Sequence, residues 1–233
     1  MKFIMLTATM PSRRDNLPFL RENYLQAMSR VQGMADFEWH LAYWPEEFEE
    51  MGNLEKVIAP VPFRVFSVPK SDQSIHPAFT KMNSVLDIVC AEGFHDPDTF
   101  IATMADDDMI SINLLRNLHE AYSRSRKPLL ISSAARGQEI GKSGHGAWNL
   151  LAAPEAMKQC YITGEQHWMH ADLFTGKLEK PRRFPEDDGL FIERLYVEHP
   201  EWFEFLPDSW MLFNVLEPGR WTDTAELKRY LNL

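Results

Sequence analysis

The stretch Phe100-Ile101-Ala102-Thr103-Met104-Ala105-Asp106-Asp107-Asp108-Met109-Ile110 constrains the fold more than any other part of the chain. It is a short apolar run that follows the turn signal Asp96-Pro97-Asp98 and ends on three consecutive carboxylates. Such a run reads as a buried strand. Leu114, Leu115, Leu118, Ala121 and Tyr122 then recur at helical spacing. A strand that hands over to a helix through a charged junction predicts an α/β sheet. It places the acidic cluster at a strand's carboxyl edge, where open α/β sheets bind ligands.

Adjacent carboxylates repel one another. At about 4 Å a like-charge pair costs roughly 1 kcal/mol in water and about 4 kcal/mol at a surface-like dielectric. Solvent, the positive start of the following helix, or a divalent cation would offset the repulsion. One reading is therefore an exposed acidic turn with an aspartate capping the helix. The other is a site for Mg²⁺ or Mn²⁺, hard cations that take oxygen ligands and commonly hold a substrate phosphate as well.

The totals bound the rest. A chain of 233 residues, 45% hydrophobic, suffices for one sizeable domain that buries roughly 70–75% of its extended-chain surface. The formal charge of −10 argues against a protein that mainly binds nucleic acid or a membrane surface. Of the two cysteines, Cys90 falls in an apolar helical pattern and is expected to be a buried thiol, and Cys160 completes no disulfide framework. The opening apolar run, Phe3 to Leu6, is shorter than a signal-peptide core, and no later run reaches membrane-spanning length. The expectation is a cytoplasmic protein with no membrane span.

Taken in order, Lys2 to Ala8 reads as a first strand and Thr7 to Asn16 as a polar loop. A helix carries Leu17, Leu20, Tyr24, Leu25 and Met28, and alternating strands follow at Phe37–Tyr43 and Phe63–Val68. The acidic segment Glu46 to Glu50 between them reads as a surface helix or loop. Phe79, Met82, Val85, Leu86, Val89 and Cys90 form an amphipathic stripe ahead of the acidic strand, and Leu129 to Ser133 reads as another buried strand. The resulting order, β-α-β-β-α-β-α-β, predicts a mainly parallel sheet with helices on both faces.

The second half is less regular. Arg136 to Gly146 is glycine-rich, contains His145 and lacks the glycine-lysine spacing of a P-loop. Strands are expected at Trp148–Ala152, Trp168–Phe174, Phe203–Leu206 and Trp210–Val215, and helices at Pro154–Gln159, Leu190–Tyr196 and Thr222–Leu233. His167, His170 and Asp172 lack the spacing of a zinc-protease helix, which favours a structural or acceptor-side role. Trp148, Trp168, Trp202, Trp210 and Trp221 read mainly as core, with a sugar-stacking platform as the other use of such rings.

Three patches carry a family likeness. The first is Thr7-x-Thr9-x-Pro11-Ser12-Arg13 after the opening strand. The second is the helix with Lys81 and Asn83, followed by Ala105-Asp106-Asp107-Asp108. The third is Glu186-Asp187-Asp188 ahead of a helix. In order and spacing over residues 1–215 the chain resembles family-2-like glycosyltransferases of the GT-A fold, which use nucleotide-sugar donors.

The resemblance implies a Rossmann-like donor half, residues 1–135, and an acceptor half, residues 136–233, within one compact unit. It implies that Asp106 and Asp108 bind Mn²⁺ or Mg²⁺. An alternative register puts Ala105 in the first aspartate position and leaves Asp107 and Asp108. It further implies that Thr7, Thr9, Arg13, Asp72, Lys81, Asn83, Asp106 and Asp107 contact a nucleotide-sugar donor, most simply a UDP-sugar. Asp187, with Asp188 next to it, takes the place of the catalytic base. The acceptor is not implied: glycan, protein, small molecule or modified DNA base all fit, and Arg182-Arg183 keeps the last open.

Two other functions fit parts of the pattern. A sugar-phosphate nucleotidyltransferase also uses carboxylates and Mg²⁺, but Thr7 to Asn16 contains no glycine for a phosphate loop near the first strand. A non-catalytic sugar- or nucleotide-binding protein would have no use for Glu186-Asp187-Asp188.

Overall fold

The computed structural model describes residues 1–70, 77–137, 148–157, 166–178, 188–216 and 224–232. The strands are β1 (Lys2–Ala8), β2 (Asp36–Tyr43), β3 (Phe63–Ser67), β4 (Thr99–Thr103), β5 (Met109–Ile110), β6 (Leu129–Arg136), β7 (Trp148–Leu150), β8 (His167–His170) and β9 (Phe203–Phe213). The helices are α1 (Leu17–Ser29), α2 (Phe48–Met51), α3 (Leu54–Ile58), α4 (Pro77–Glu92), α5 (Leu114–Ser125), α6 (Pro154–Met157), α7 (Asp172–Thr175), α8 (Asp188–Glu198) and α9 (Thr224–Leu231).

One mixed sheet runs through the described residues in the order β3-β2-β1-β4-β8-β6-β9-β5, with β7 added on β6. The first four strands are parallel. Beyond β4 the antiparallel β8 intervenes, and β6 and β9 run parallel to each other. The alternation of side chains explains the layers. Phe3 and Met5 of β1 and Phe100 and Ala102 of β4 point to one face, where Leu17, Leu20 and Tyr24 of α1 and Leu114, Leu115 and Leu118 of α5 cover them. Ile4, Leu6 and Ile101 point to the other, under Met82, Val85, Leu86 and Val89 of α4 and Ile192 and Leu195 of α8. Each such side chain contributes about 1.5–3 kcal/mol when fully buried.

The order has one consequence for function. β1 lies between β2 and β4, so the chain leaves β1 along the sheet toward β2 and leaves β4 in the other direction, toward β5 and β6. The carboxyl ends of strands at such a reversal are where open α/β sheets bind nucleotides. The loop after β1 and the acidic turn after β4 both end there.

Several expectations need correction. The helix after the acidic turn starts only at Leu114, because Met109–Ile110 first pairs antiparallel with Leu212 and Met211 of β9. The acidic turn therefore leads into a short strand and not directly into the first turn of the helix. Asn23 of α1 fixes this short strand: its amide donates to the Ile110 carbonyl at 2.8 Å and accepts from the Ile110 N–H at 2.9 Å. Phe203–Leu206 and Trp210–Phe213 belong to one strand, β9, because β6 pairs with both parts, and Asn214 and Val215 fall in the turn after it. The register shifts between Ser132 and Ser133, and Ser133 Oγ donates to the Pro207 carbonyl at 2.9 Å. A proline that cannot serve the ladder thus sits in a bulge. The strand at Trp168 ends at His170, and Asp172–Thr175 turns helical. Cys90 is only half-buried, and burial pushes its thiol up to about 11. No helix among the described residues is long and apolar enough to cross a membrane.

Candidate functional site

The three carboxylates are buried: Asp106, Asp107 and Asp108 are 2%, 3% and 2% exposed. This overturns the exposed-turn reading and leaves the question of what neutralises them. Arg13 does so from one side. It lies on a 3-10 helix, Pro11–Asn16, that follows β1. Its Nη1 donates to Asp106 Oδ1 at 2.9 Å and sits 3.1 Å from Asp107 Oδ1.

Asn214 closes the other side. Its backbone N–H donates to Asp108 Oδ1 at 2.7 Å, and its Nδ2 donates to Asp107 Oδ2 at 3.1 Å. The Leu216 N–H donates to the Asp107 carbonyl at 3.0 Å. Asn214 has φ of 54°, a left-handed conformation that asparagine tolerates better than other side-chain-bearing residues. Nothing in the sequence pattern marked Asn214; the signal was an asparagine just past the end of a strand.

The electrostatics follow from burial and these partners. Burial raises the Asp106 pKa, and Asp107 adds to it. The hydrogen bond and charge of Arg13 and the nearby Thr9 hydroxyl pull it back without cancelling the rise. Burial works against the Arg13 charge, but the Asp106 hydrogen bond and the fields of all three carboxylates hold its pKa above the ordinary value. The Thr9 hydroxyl lies near the Asp106 carboxyl but falls short of full hydrogen-bond geometry, and Asp106 Oδ2 is buried with no hydrogen bond from any described residue. It is an acceptor oxygen in need of a cation or donor.

Lys81 is 3% exposed and faces inward from α4. Its Nζ donates to the Thr9 carbonyl at 2.7 Å and to Glu47 Oε2 at 2.8 Å, and lies 4.3 Å from the centre of the Trp44 ring. Glu47 Oε2 also accepts from the Trp44 N–H at 2.8 Å. This clamp ties α4 to the loop after β1 and to the turn after β2. Glu47 and Trp44 were not singled out by the sequence, because an acidic surface segment gives no sign that one member is turned inward.

The other expected site residues are distributed as follows. Thr9 is buried beside Asp106. Thr7 is fully buried, and its hydroxyl accepts from Trp39 Nε1 at 3.0 Å, so its side chain faces the core. Asn83 is half-buried on α4. The structure thus brings Thr9, Arg13, Lys81 and the trio together. Asp72, Asp187, His145 and Trp221 lie outside the described residues, and Asp188 begins α8 with its side chain outside them. Trp168 is core, edge-on to Phe3 at 5.5 Å, and Trp202 stacks on His199 at 3.9 Å.

His170 packs against Phe100 and Tyr122 and accepts from the Asp172 N–H at 3.2 Å. His167 is fully enclosed, and burial alone lowers its pKa to about 3. The folded protein therefore refuses a proton that the unfolded chain accepts below about pH 6.5. Stability from this group is complete above pH 6.5 and falls by about 1.4 kcal/mol per pH unit until pH nears 3. Denaturant unfolding at pH 7 and pH 5 should show about 2 kcal/mol more acid loss in the wild type than in His167→Gln. Equal losses would mean that His167 titrates normally.

The parallel β3-β2-β1-β4 order within a mixed sheet flanked by helices is a GT-A-like, Rossmann-type fold. Comparison with solved structures agrees. The chain is similar to the crystal structure of S. aureus TarS 1-349 at 12% identity and a TM-score of 0.53, covering 92% of this chain and 58% of that one. The crystal structure of TarS 1-349 in complex with UDP-GlcNAc matches at 14% identity and a TM-score of 0.54, covering 92% and 56%. The complex with UDP matches at 13% identity and a TM-score of 0.53. The chain thus spans less than three fifths of TarS 1-349. No protein-family model matches the sequence, and no curated protein matches it.

Proposed function

We propose that this chain is a glycosyltransferase that moves a sugar from a nucleotide diphosphate sugar, a UDP-sugar, to an acceptor hydroxyl, assisted by Mg²⁺ or Mn²⁺. One observation carries the reading: Arg13 from the loop after β1 meets the buried Asp106 and Asp107 after β4, at the switch point of the sheet. The TarS complexes with UDP-GlcNAc and UDP on a similar fold support a uridine donor.

Residues 1–135 hold the donor in this reading, and residues 136–233 supply the acceptor side. Asp106 and Asp108 would hold the cation. The buried Asp106 Oδ2 without a hydrogen-bond partner fits that role. No group of three or more metal-capable side chains converges among the described residues. In this reading an ion bound through one or two carboxylates would be completed by phosphates and water. The cation supplies charge neutralisation for the departing diphosphate. Thr9 and Arg13 line the donor site. Asp187, with Asp188 beside it, takes the proton of the acceptor hydroxyl as that oxygen attacks the anomeric carbon and the bond to the diphosphate breaks.

A thermal-shift panel of UDP, CDP, GDP and UDP-sugars, with and without Mn²⁺, tests this. A ligand at about 100 times its Kd stabilises by about 2.7 kcal/mol, which for a domain this size is a rise of roughly 5–10 °C. UDP with Mn²⁺ should give it, and UDP alone much less. No shift with any nucleotide would end the proposal. Release of UDP from a UDP-sugar in the presence of Mn²⁺ then separates a transferase from a binding protein on the same scaffold.

A further inference from the structure

The trio and Arg13 differ sharply in exposure. The Asp106 and Asp107 side chains are 3% and 4% exposed, whereas Arg13 is 39% exposed. The carboxylates are fixed: Asn214 holds Asp107 and Asp108 through two donors, and Asn23 pins Ile110 just beyond them. Neighbouring Arg14 is tied down by a 2.6 Å bond from Nε to the Met51 carbonyl, which anchors the 3-10 helix. Arg13 therefore reaches in from the solvent side as a long arm on an anchored base, and its charged head covers a buried site with three negative charges.

Asp106 contributes one oxygen to Arg13 and leaves the other without a hydrogen-bond partner. A divalent cation on Asp106 would carry twice the charge of the guanidinium to the same carboxylate. A divalent cation and a guanidinium crowded on one buried carboxylate repel each other, by about 8 kcal/mol at 4 Å and an effective dielectric of 20. They therefore compete.

We infer that Arg13 is the exchangeable counter-ion of the Asp106-Asp107-Asp108 trio: it neutralises the empty site and is driven off Asp106 onto the diphosphate when a divalent cation arrives with the nucleotide. This inference rests on the nucleotide-sugar reading given above. It makes Arg13 a positioning residue with two alternating partners of the same chemistry, carboxylate and phosphate, both of which suit a guanidinium. It also keeps the site from collapsing or trapping stray cations between turnovers.

The test measures Mn²⁺ alone, by the loss of the free-ion electron paramagnetic resonance signal, on wild type, Arg13→Ala, Arg13→Gln and Arg13→Lys. Removing the resident charge should tighten Mn²⁺ binding at least about tenfold in the Ala and Gln variants, given the repulsion relieved. Arg13→Lys, which keeps the charge, should stay near wild type. UDP affinity at saturating Mn²⁺ should fall in the Ala and Gln variants, since the diphosphate loses its guanidinium. The Gln variant retains a polar, neutral side chain and serves if the Ala variant does not fold. Unchanged or weaker Mn²⁺ binding in the neutral variants overturns the inference. So does a Lys variant that binds Mn²⁺ as tightly as they do. If the wild type binds UDP with Mn²⁺ while Arg13 variants leave Mn²⁺ affinity alone, only the counter-ion role fails. If no form binds Mn²⁺ or UDP, the nucleotide-sugar reading fails with it.

Discussion

Asp108→Ala is expected to abolish sugar transfer, lowering kcat/KM by about 10³-fold or more, the scale of losing a metal-assisted leaving group. The substitution removes two things at once. It deletes a carboxylate proposed to hold the cation, and it deletes the acceptor of the Asn214 N–H at 2.7 Å. Asp108→Asn separates them, because its amide oxygen can still accept from Asn214 while the charge is gone. Both variants should lose transfer and the Mn²⁺-dependent thermal shift with UDP, but only the alanine should lose folding stability. UDP release from the donor and denaturant unfolding measure the two effects. Full turnover in Asp108→Asn would remove the trio from the chemistry.

The second large effect is on stability. Lys81→Met should lower the unfolding free energy by about 3–5 kcal/mol, because it leaves a largely buried carboxylate without its cation. The Glu47 side chain is 14% exposed and shares its Oε2 between Lys81 and the Trp44 N–H. Adding Glu47→Gln to Lys81→Met should recover a good part of the loss, since the stranded charge is then gone. Urea unfolding of the two single variants and the double variant gives the coupling directly. The donor KM should rise as well in Lys81→Met, because Lys81 also holds the Thr9 carbonyl. A cost below about 1 kcal/mol would place Lys81 among ordinary surface pairs.

Lys81 shows where reading a sequence falls short. Its position on the polar side of a helical stripe is visible, and so is its place before the acidic strand. Its three partners are not, because Thr9 is 72 residues and Glu47 is 34 residues away along the chain. The family resemblance put Lys81 against the donor; in the fold its ammonium also binds the Thr9 carbonyl and Glu47. The acidic trio has the same history. Its position after a buried strand was legible from Phe100, Ile101 and Met104, but its burial was not. Three aspartates in a row look like a surface feature unless the residues that neutralise them are known. Asn214 escaped notice because a left-handed asparagine after a strand is common turn chemistry, and its importance lies in what it faces.

The sequence by itself determined the alternation that sends Phe3 and Met5 to one side of a sheet and Ile4 and Leu6 to the other. It also determined the order of the main strands and helices in the first half, though not the short α2, α3 and β5, and the occurrence of three acids at a strand's end. These are local properties, set by side-chain periodicity and covalent adjacency. Tertiary structure alone decided that Arg13, 93 residues before Asp106, and Asn214, 106 residues after Asp108, would share the neutralisation of that trio. Charge pairing in a buried site depends on which distant segments the sheet brings to one edge, and the sheet order that does so, with β8 between β4 and β6, is not written in the pattern of any one segment.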